Sequence, residues 1–519
     1  MCRKEPLVSW KRLALLSLLA LTLTGYRFGT GDHVTQFPSV LHFFDPQLYT
    51  TDFPLQMIFP PYLKIGLHVV LFSLARFLHV PVEYVYFFTH ALVFLAFFWI
   101  SKKLLYVLGL TIPEIFWGLL FLPFWAVFTP SLSHFQILVS HLVPYQCAVP
   151  LTLAGLYFFL KSRFFFSSIL LGLAFLVHQQ IGLLSFAAFN LGLLGEKLSS
   201  PKKFLKNLLP FQLPFLIVFG GYFFFLQTRG SHQGYPWFDL SWGQELLQMV
   251  RVRVPHHLLF SYARIEEIIF VGVMVLFVIS YLKGLDQGEK PARRMCLIGL
   301  GFLMIMALGA FFTEVYPLPV AFALYPLRGD VFLRLTAYFL LVHWGSKALK
   351  DLSFPRLVKR IFRSSFFWAG LCLTLLFLGP HIRLHLPRKE VVRLCACVQE
   401  KTPRESFLLA PPALKGVRLY CQRSVFVSWK GHGLFFRPAV AKEWFHRLTL
   451  LCALKDPLSC EGKECLALCR KNFSLLPLED LLALSKEYKI NYLLLERRPR
   501  KGLSPVCETE HLALYPIDP

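Results

Sequence analysis

Long apolar runs recur through the first three quarters of the chain, separated by short polar loops, and cease near residue 380. Each run approaches the roughly 20 residues that cross about 30 Å of hydrocarbon. The pattern predicts spans at Leu13–Thr24, Tyr84–Ile100, 111–129, 145–161, 164–177, 180–195, 208–226, 266–283, 295–313, 331–348 and 365–379. That makes about eleven crossings. Between 177 and 180, His178-Gln179-Gln180 reads either as a tight turn or as a polar interruption in one long helix. The stretch Tyr62–His79 is apolar but carries Lys64, His68 and Arg76, so it is expected to lie along the interface as a helix. Counting it as a span would move Lys102 and Lys103 to the outer face.

Beyond residue 380 the period changes. Segments 406–409, 424–427 and 491–495 read as short strands, and Ala439–Leu454 and Leu478–Tyr488 have helical spacing. About 140 residues suffice for one small α/β domain. The expected fold is an all-α polytopic membrane bundle over 1–379, with an acidic first external loop at 28–83, followed by an extracytoplasmic α/β domain over 380–519.

Charge refines this picture. The net charge is +24, but the chain is 55% hydrophobic and its cations gather in short loops, which argues against nucleic acid as a partner. Arg3, Lys4, Lys11 and Arg12 precede the first run, placing the N-terminus in the cytoplasm; without a convincing small-residue cleavage site the run reads as a retained signal anchor ahead of a cleaved signal peptide. Loops containing Lys161 and Arg163, 197–206, 290–294 and 350–363 are internal on the same rule, and the C-terminus is external. Of 12 cysteines, eight lie beyond residue 380: Cys395, Cys397, Cys421, Cys452, Cys460, Cys465, Cys469 and Cys507. In an external domain they read as disulfides or as unpaired thiols, with the pairing open. Cys460, Cys465 and Cys469 without a paired CxxC arrangement make a weak zinc signal.

The candidate chemistry lies in the external loops. Gly31-Asp32-His33 follows the first span, with Asp45-Pro46 and Asp52-Phe53-Pro54 behind it. Asp32 is either a helix cap or an acid held at the height of a lipid headgroup; Asp45 starts a turn; Asp52 is a cap or a second acid. Arg251-Val252-Arg253-Val254-Pro255-His256-His257 reads as a phosphate site or an interfacial basic anchor. Arg328 must find an anion, a carbonyl or the headgroup layer, and Glu314 is one candidate partner. His134, His141 and His178 at external helix ends read as packing histidines. Arg423 and Lys430, on strand ends of the second domain, are candidate binding groups.

These elements, in this order, resemble the GT-C superfamily of integral membrane glycosyltransferases. More closely, Gly31-Asp32-His33, Asp45-Pro46 through Asp52, Arg253-x-Pro255-His256-His257, Pro326-Leu327-Arg328 and Arg423-Ser424-Val425-Phe426-Val427-x-Trp429-Lys430 resemble a family of uncharacterised bacterial multi-pass membrane proteins. The superfamily resemblance implies transfer of a sugar from a polyprenyl-phosphate donor to a glycan, lipid or protein acceptor at the plasma (inner) membrane. It implies Asp32 as base or metal ligand, although Asp32-His33 stands where those enzymes carry an Asp-Glu pair. Asp52 would supply a second carboxylate if the loop folds back, and a divalent metal stays an open cofactor. Arg253, His256, His257 and Arg328 would meet the leaving phosphate, and Arg423 and Lys430 the acceptor. A flippase or transporter for a lipid-linked saccharide, and a non-catalytic scaffold, are the rival readings.

Overall fold

The computed structural model describes residues 9–58, 63–197, 201–228, 236–286, 289–348, 382–384, 390–431, 437–452, 460–497 and 503–517. Each of the ten predicted spans within those residues carries a helix: α1 (Trp10–Thr24), α5 (Val82–Val107), α6 (Ile112–Phe128), α7 (Pro144–Leu160), α8 (Phe164–Val177), α9 (Gln179–Lys197), α10 (Pro201–Thr228), α13 (Ile265–Lys283), α14 (Lys290–Ala310) and α16 (Asp330–Ala348). The predicted span 365–379 and the basic loop 350–363 lie outside the described residues. Among the described residues, four stretches are long and apolar enough to cross a membrane: Val82–Val107, Lys206–Phe225, Ile265–Gly284 and Lys290–Val315. Shorter apolar helices pack beside them. Helix α10 leaves Leu209, Leu213, Leu216, Ile217 and Phe224 uncovered, and α13 leaves Ile269, Val273 and Leu276 uncovered. Such apolar outer faces suit hydrocarbon as solvent.

The break at His178 is a tight turn. His178 is extended between α8 and α9, and a Cβ on Gly182 would overlap the Phe175 backbone, so the two helices fold closely back on each other. At the opposite end of the bundle, Arg294 donates to the carbonyls of Phe159 and Leu160 and to the Ser162 hydroxyl (3.2, 3.1 and 2.7 Å). A cation there satisfies the open carbonyls at the end of α7. Lys103 and Lys161 both lie over Tyr157. Lys103, Lys161 and Arg294, three of the basic groups expected to share one face, do so.

Between α1 and α5 the chain forms α2 (His33–Phe44), α3 (Phe53–Ile58) and α4 (Leu63–Leu78). Helix α4 occupies the segment expected to lie along the interface; it packs on α2, α5, α7 and α8 and exposes Val70, Leu74, Phe77 and Leu78. Further along, α11 (Leu240–Arg253), α12 (Pro255–Leu258) and α15 (Pro319–Leu324) sit between the longer helices.

The C-terminal region is α/β. Strands β3 (Phe407–Leu409), β4 (Ser424–Val425), β5 (Tyr492–Glu496), β6 (Cys507–Glu508) and β7 (Leu512–Pro516) form one sheet in the order β4-β3-β5-β7-β6. The first three are parallel and the last two antiparallel. Side chains alternate across it, as a pleat requires. Phe407, Leu409, Phe426, Leu493, Leu495 and Tyr515 join one core with Trp444, Leu448 and the α11 residues Trp242 and Leu246. Leu408, Val425, Leu494 and Leu514 join another with Val391, Leu394 and the first-loop residues Tyr26, Phe28 and Phe37. The sheet is thus clamped between two parts of the helical region. Strand β1 (Tyr26–Arg27) pairs in parallel with β2 (Ile382–Arg383), tying the exit of α1 to the entrance of this region.

The predicted strands at 406–409, 424–427 and 491–495 and both predicted helices are present; β6, β7, α17 (Glu390–Lys401) and α20 (Lys463–Leu475) were not foreseen. The chain also forms α18 (Val417–Cys421), α19 (Pro438–Cys452) and α21 (Leu478–Tyr488). All eight cysteines of the region are paired, as Cys395–Cys421, Cys397–Cys507, Cys452–Cys469 and Cys460–Cys465. Among the described residues, none of these thiols is left for zinc.

Candidate functional site

The loop after α1 is shaped by glycine. Gly31 has φ +60°, and a Cβ there would fall on the His141 ring. That close approach lets the Asp32 backbone N–H donate to His141 Nε2 at 3.3 Å. Asp32 stands at the N-cap position of α2, yet its carboxylate makes no capping bond. Its carbonyl does the local work, accepting from Thr35 and Gln36 N–H groups. The carboxylate is left facing Lys430, with Oδ1 3.8 Å from Nζ and both side chains about half exposed. The cap reading of Asp32 is thereby replaced: position is capping, side chain is not.

His33 fixes the loop and takes no part in the cavity. Its Nδ1 accepts from Gly29 N–H at 3.1 Å and its Nε2 lies 2.7 Å from the Leu142 carbonyl. That pairing assigns the proton to Nε2. Behind it, His68 bridges Tyr86 (2.7 Å) and Gln36 (2.5 Å), holding the α2 face that lines the cavity.

Across from Asp32 lie the cations. Arg253 ends α11 and donates to the Gly431 carbonyl at 2.5 Å, with Trp444 beneath its guanidinium. Enclosure by protein draws it down to about 10, still charged at neutral pH. Arg328 sits in the 3-10 turn Pro326–Gly329, sandwiched between the rings of Phe135 and Tyr325 at 4.3 and 4.5 Å. It contacts Gln180 Oε1 and His178 Nε2, which gives His178 a polar role beyond packing. Its Nε has no hydrogen-bond partner. His257 Nδ1 donates to the Ser133 carbonyl at 2.7 Å, leaving Nε2 to accept. Burial, assisted by neighbouring positive groups, holds His256 at about 4 and His257 well below its ordinary value. The two histidines are therefore neutral, and the charge expected from them on a phosphate is absent.

These groups converge. A cavity of about 350 Å³ is lined by Asp32, Arg253, His256, His257, Arg328 and Lys430, together with Gln36, Tyr145, His178, Tyr325, Lys415, Trp429 and Lys463. Lys415 and Lys463 were not among the candidates, since lone lysines in polar loops carry no distinguishing pattern. Lys463 is placed by Gly462, whose N–H donates to the Arg251 carbonyl at 2.9 Å, and by the Cys460–Cys465 bridge around it. Asp32 feels two opposing influences. Enclosure pushes its carboxyl up, but the charges of Lys430 first and Arg328 after it prevail, and it is held at about 2. It is half open to the cavity while the cavity walls surround it, so the neighbours act through little bulk water.

The remaining candidates lie elsewhere. Asp52 is fully buried; its Oδ2 accepts from Arg418 Nε at 2.6 Å and from Val425 N–H at 3.1 Å. It does not line the cavity, so among the described residues no second acid stands beside Asp32 there. Arg423 is spent on the Thr402 hydroxyl and carbonyl and the Gln399 carbonyl, at 3.1, 2.7 and 3.1 Å. Asp45 makes the expected turn, accepting from Gln47 N–H, and meets Arg404. Glu314 caps the Phe260–Ser261 turn instead of pairing with Arg328. A buried pair, Asp330 and Arg334 at 3.1 Å, ties Ser131, Thr129 and Phe135 together and so steadies the loop beneath Arg328 and His257.

The donor set does not fit a divalent metal. Asp32 is the one carboxylate among the residues lining the cavity, five cations accompany it, and no cluster of three metal-ligating side chains occurs among the described residues.

A family model described as a domain of unknown function, DUF6798, matches residues 389–451. The matched segment contains Lys415, Trp429 and Lys430 of the cavity and Arg418, the partner of Asp52. Curated proteins give no match to the chain.

Proposed function

We propose that this protein is a multi-pass membrane glycosyltransferase that moves a sugar from a polyprenyl-phosphate donor to an acceptor hydroxyl. The observation that carries the reading is a single ionised carboxylate, released from its capping role, facing a cavity walled by arginine and lysine. The acceptor oxygen attacks the anomeric carbon as the bond from that carbon to the phosphate oxygen breaks. Asp32 takes the hydroxyl proton, and Arg253 and Arg328 receive the charge that develops on the departing polyprenyl phosphate. A carboxylate held at about 2 is a weak base in the empty cavity. The donor's own negative charge offsets Lys430 and Arg328, which raises the basicity of Asp32 when substrate is present.

The cavity lies at the bundle end opposite the Lys103–Lys161–Arg294 cluster. On the positive-inside rule that end is extracytoplasmic, at the inner membrane; with the N-terminus in the cytoplasm, about eleven crossings leave the C-terminal domain on the same outer side. Four disulfides in the domain covering the cavity support the same side. The test is turnover of polyprenyl-phosphate-linked sugars by the purified protein and its Asp32→Asn variant. Loss of about 10²–10⁴-fold in rate is expected of a missing base. Equal turnover in both would remove Asp32 from the reaction, and no turnover of any such donor would sink the transferase.

A further inference from the structure

The cavity holds more positive charge than a singly linked donor balances. Of the described residues that line it, five are cations, Arg253, Arg328, Lys415, Lys430 and Lys463, and one is a carboxylate, Asp32. His256 and His257 are neutral and add none. A sugar joined to a polyprenol through one phosphate is a diester and carries a single negative charge.

The cations differ in origin and setting. The two arginines come from turns at the ends of membrane-region helices and are half-buried. The three lysines are exposed and come from separate loops of the α/β domain: before α18, after β4, and at the start of α20. Each loop has its own anchor. Trp429 N–H donates to the Pro412 carbonyl, Ser428 Oγ donates to the Lys430 carbonyl, and Gly462 N–H reaches the Arg251 carbonyl. Domain docking has other means, including the buried Asp52–Arg418 pair and the two apolar cores. Gathering three like charges on one wall raises their mutual repulsion, and an anion bound there relieves it.

We propose that the acceptor is itself an anion: a hydroxyl compound bearing a phosphate or carboxylate, held by Lys415 and Lys463 with Lys430 between it and Asp32. This rests on the transferase reading, because it treats the arginines as the donor's site. The lysine wall then selects the acceptor and sets its hydroxyl toward the carboxylate.

Methyl glucoside, methyl glucuronide and methyl glucoside 6-phosphate serve as probes, titrated into the full-length protein in nanodiscs with saturating polyprenyl phosphate. The two charged glycosides are expected to bind about ten-fold more tightly than the neutral one, the scale of two partly screened ion pairs. The Lys415→Gln, Lys463→Gln double variant is expected to erase that preference while its affinity for polyprenyl phosphate holds; Arg328→Gln is expected to do the reverse. Equal binding of all three glycosides by the wild type overturns the proposal. So does a double variant that loses polyprenyl phosphate as severely as the charged glycosides, which would assign the lysines to a second phosphate on the donor. A lysine-dependent preference in a protein that binds no polyprenyl phosphate would uphold the anion site and defeat the transferase reading.

Discussion

Two of the acid–base contacts that join the first loop to the α/β domain differ in nearly every respect. Asp52 and Arg418 meet at 2.6 Å with 0% and 9% of their side chains exposed, and backbone N–H groups complete the carboxylate. Asp32 and Lys430 stand 3.8 Å apart, each about half open to the cavity. The first contact is closed and leaves no room for a third party. The second is loose, surrounded by further cations, and suited to be interrupted by a ligand. The same pair of segments thus separates holding from handling: one junction fixes the domain so that the other need not.

Breaking the closed contact is expected to have the largest effect on stability. Asp52→Ala leaves the Arg418 guanidinium buried without its carboxylate, a loss of about 3–5 kcal/mol. Denaturant unfolding of the detergent-solubilised protein measures it; a change below about 1 kcal/mol, typical of an exposed pair, would equate the two junctions. Gly31→Ala attacks the open one indirectly. Its side chain collides with His141 in a left-handed backbone, so Asp32 shifts. Misplacement by about 1 Å is expected to cost turnover about 10²-fold with the melting temperature little changed.

Acid sharpens the contrast further. His33, His141, His256 and His257 are all held below their ordinary value by burial, so the folded protein takes up their protons later than the unfolded chain does. Stability is therefore expected to fall as pH drops below about 6.5, where free histidine titrates, and to keep falling until the folded forms protonate. For His256 that point is about 4. Melting temperatures recorded between those limits give the slope, and a flat profile would contradict neutral histidines. The smallest effect is expected from Lys430→Gln, which removes the foremost charge lowering Asp32 and lets its carboxyl rise from about 2. The acid limb of donor turnover should move upward accordingly.

Much of the site was legible because a charge at the end of an apolar helix needs a reason to be there. Asp32, Arg253, Arg328 and the His256-His257 pair stand out against hydrophobic surroundings, and they do line one cavity. Asp52 and Arg423 stood out for the same reason but answer to partners that sequence does not display. Arg418 is remote in sequence from Asp52, and the groups that bind Arg423 are mostly backbone carbonyls. Lys415 and Lys463 were invisible for the opposite cause, being ordinary residues made significant only by convergence. In the fold, helical runs were readable from length and hydropathy, whereas β6 and β7 are short and depend on β5 for their pairing. The neutral state of the histidines follows first from burial and then from nearby positive groups, both of which a loop sequence conceals.

The parallel pairing of Tyr26–Arg27 with Ile382–Arg383 also sets an order of events during synthesis. Asp32 leaves the ribosome well before the lysines that share its cavity, Lys415, Lys430 and Lys463. Until Ile382 arrives, β1 has no neighbouring strand, and the cavity lacks a wall. A nascent chain halted anywhere in the helical region would carry the carboxylate without its enclosure. The cavity is therefore completed only when two segments more than three hundred residues apart have met, Tyr26–Arg27 and Ile382–Arg383.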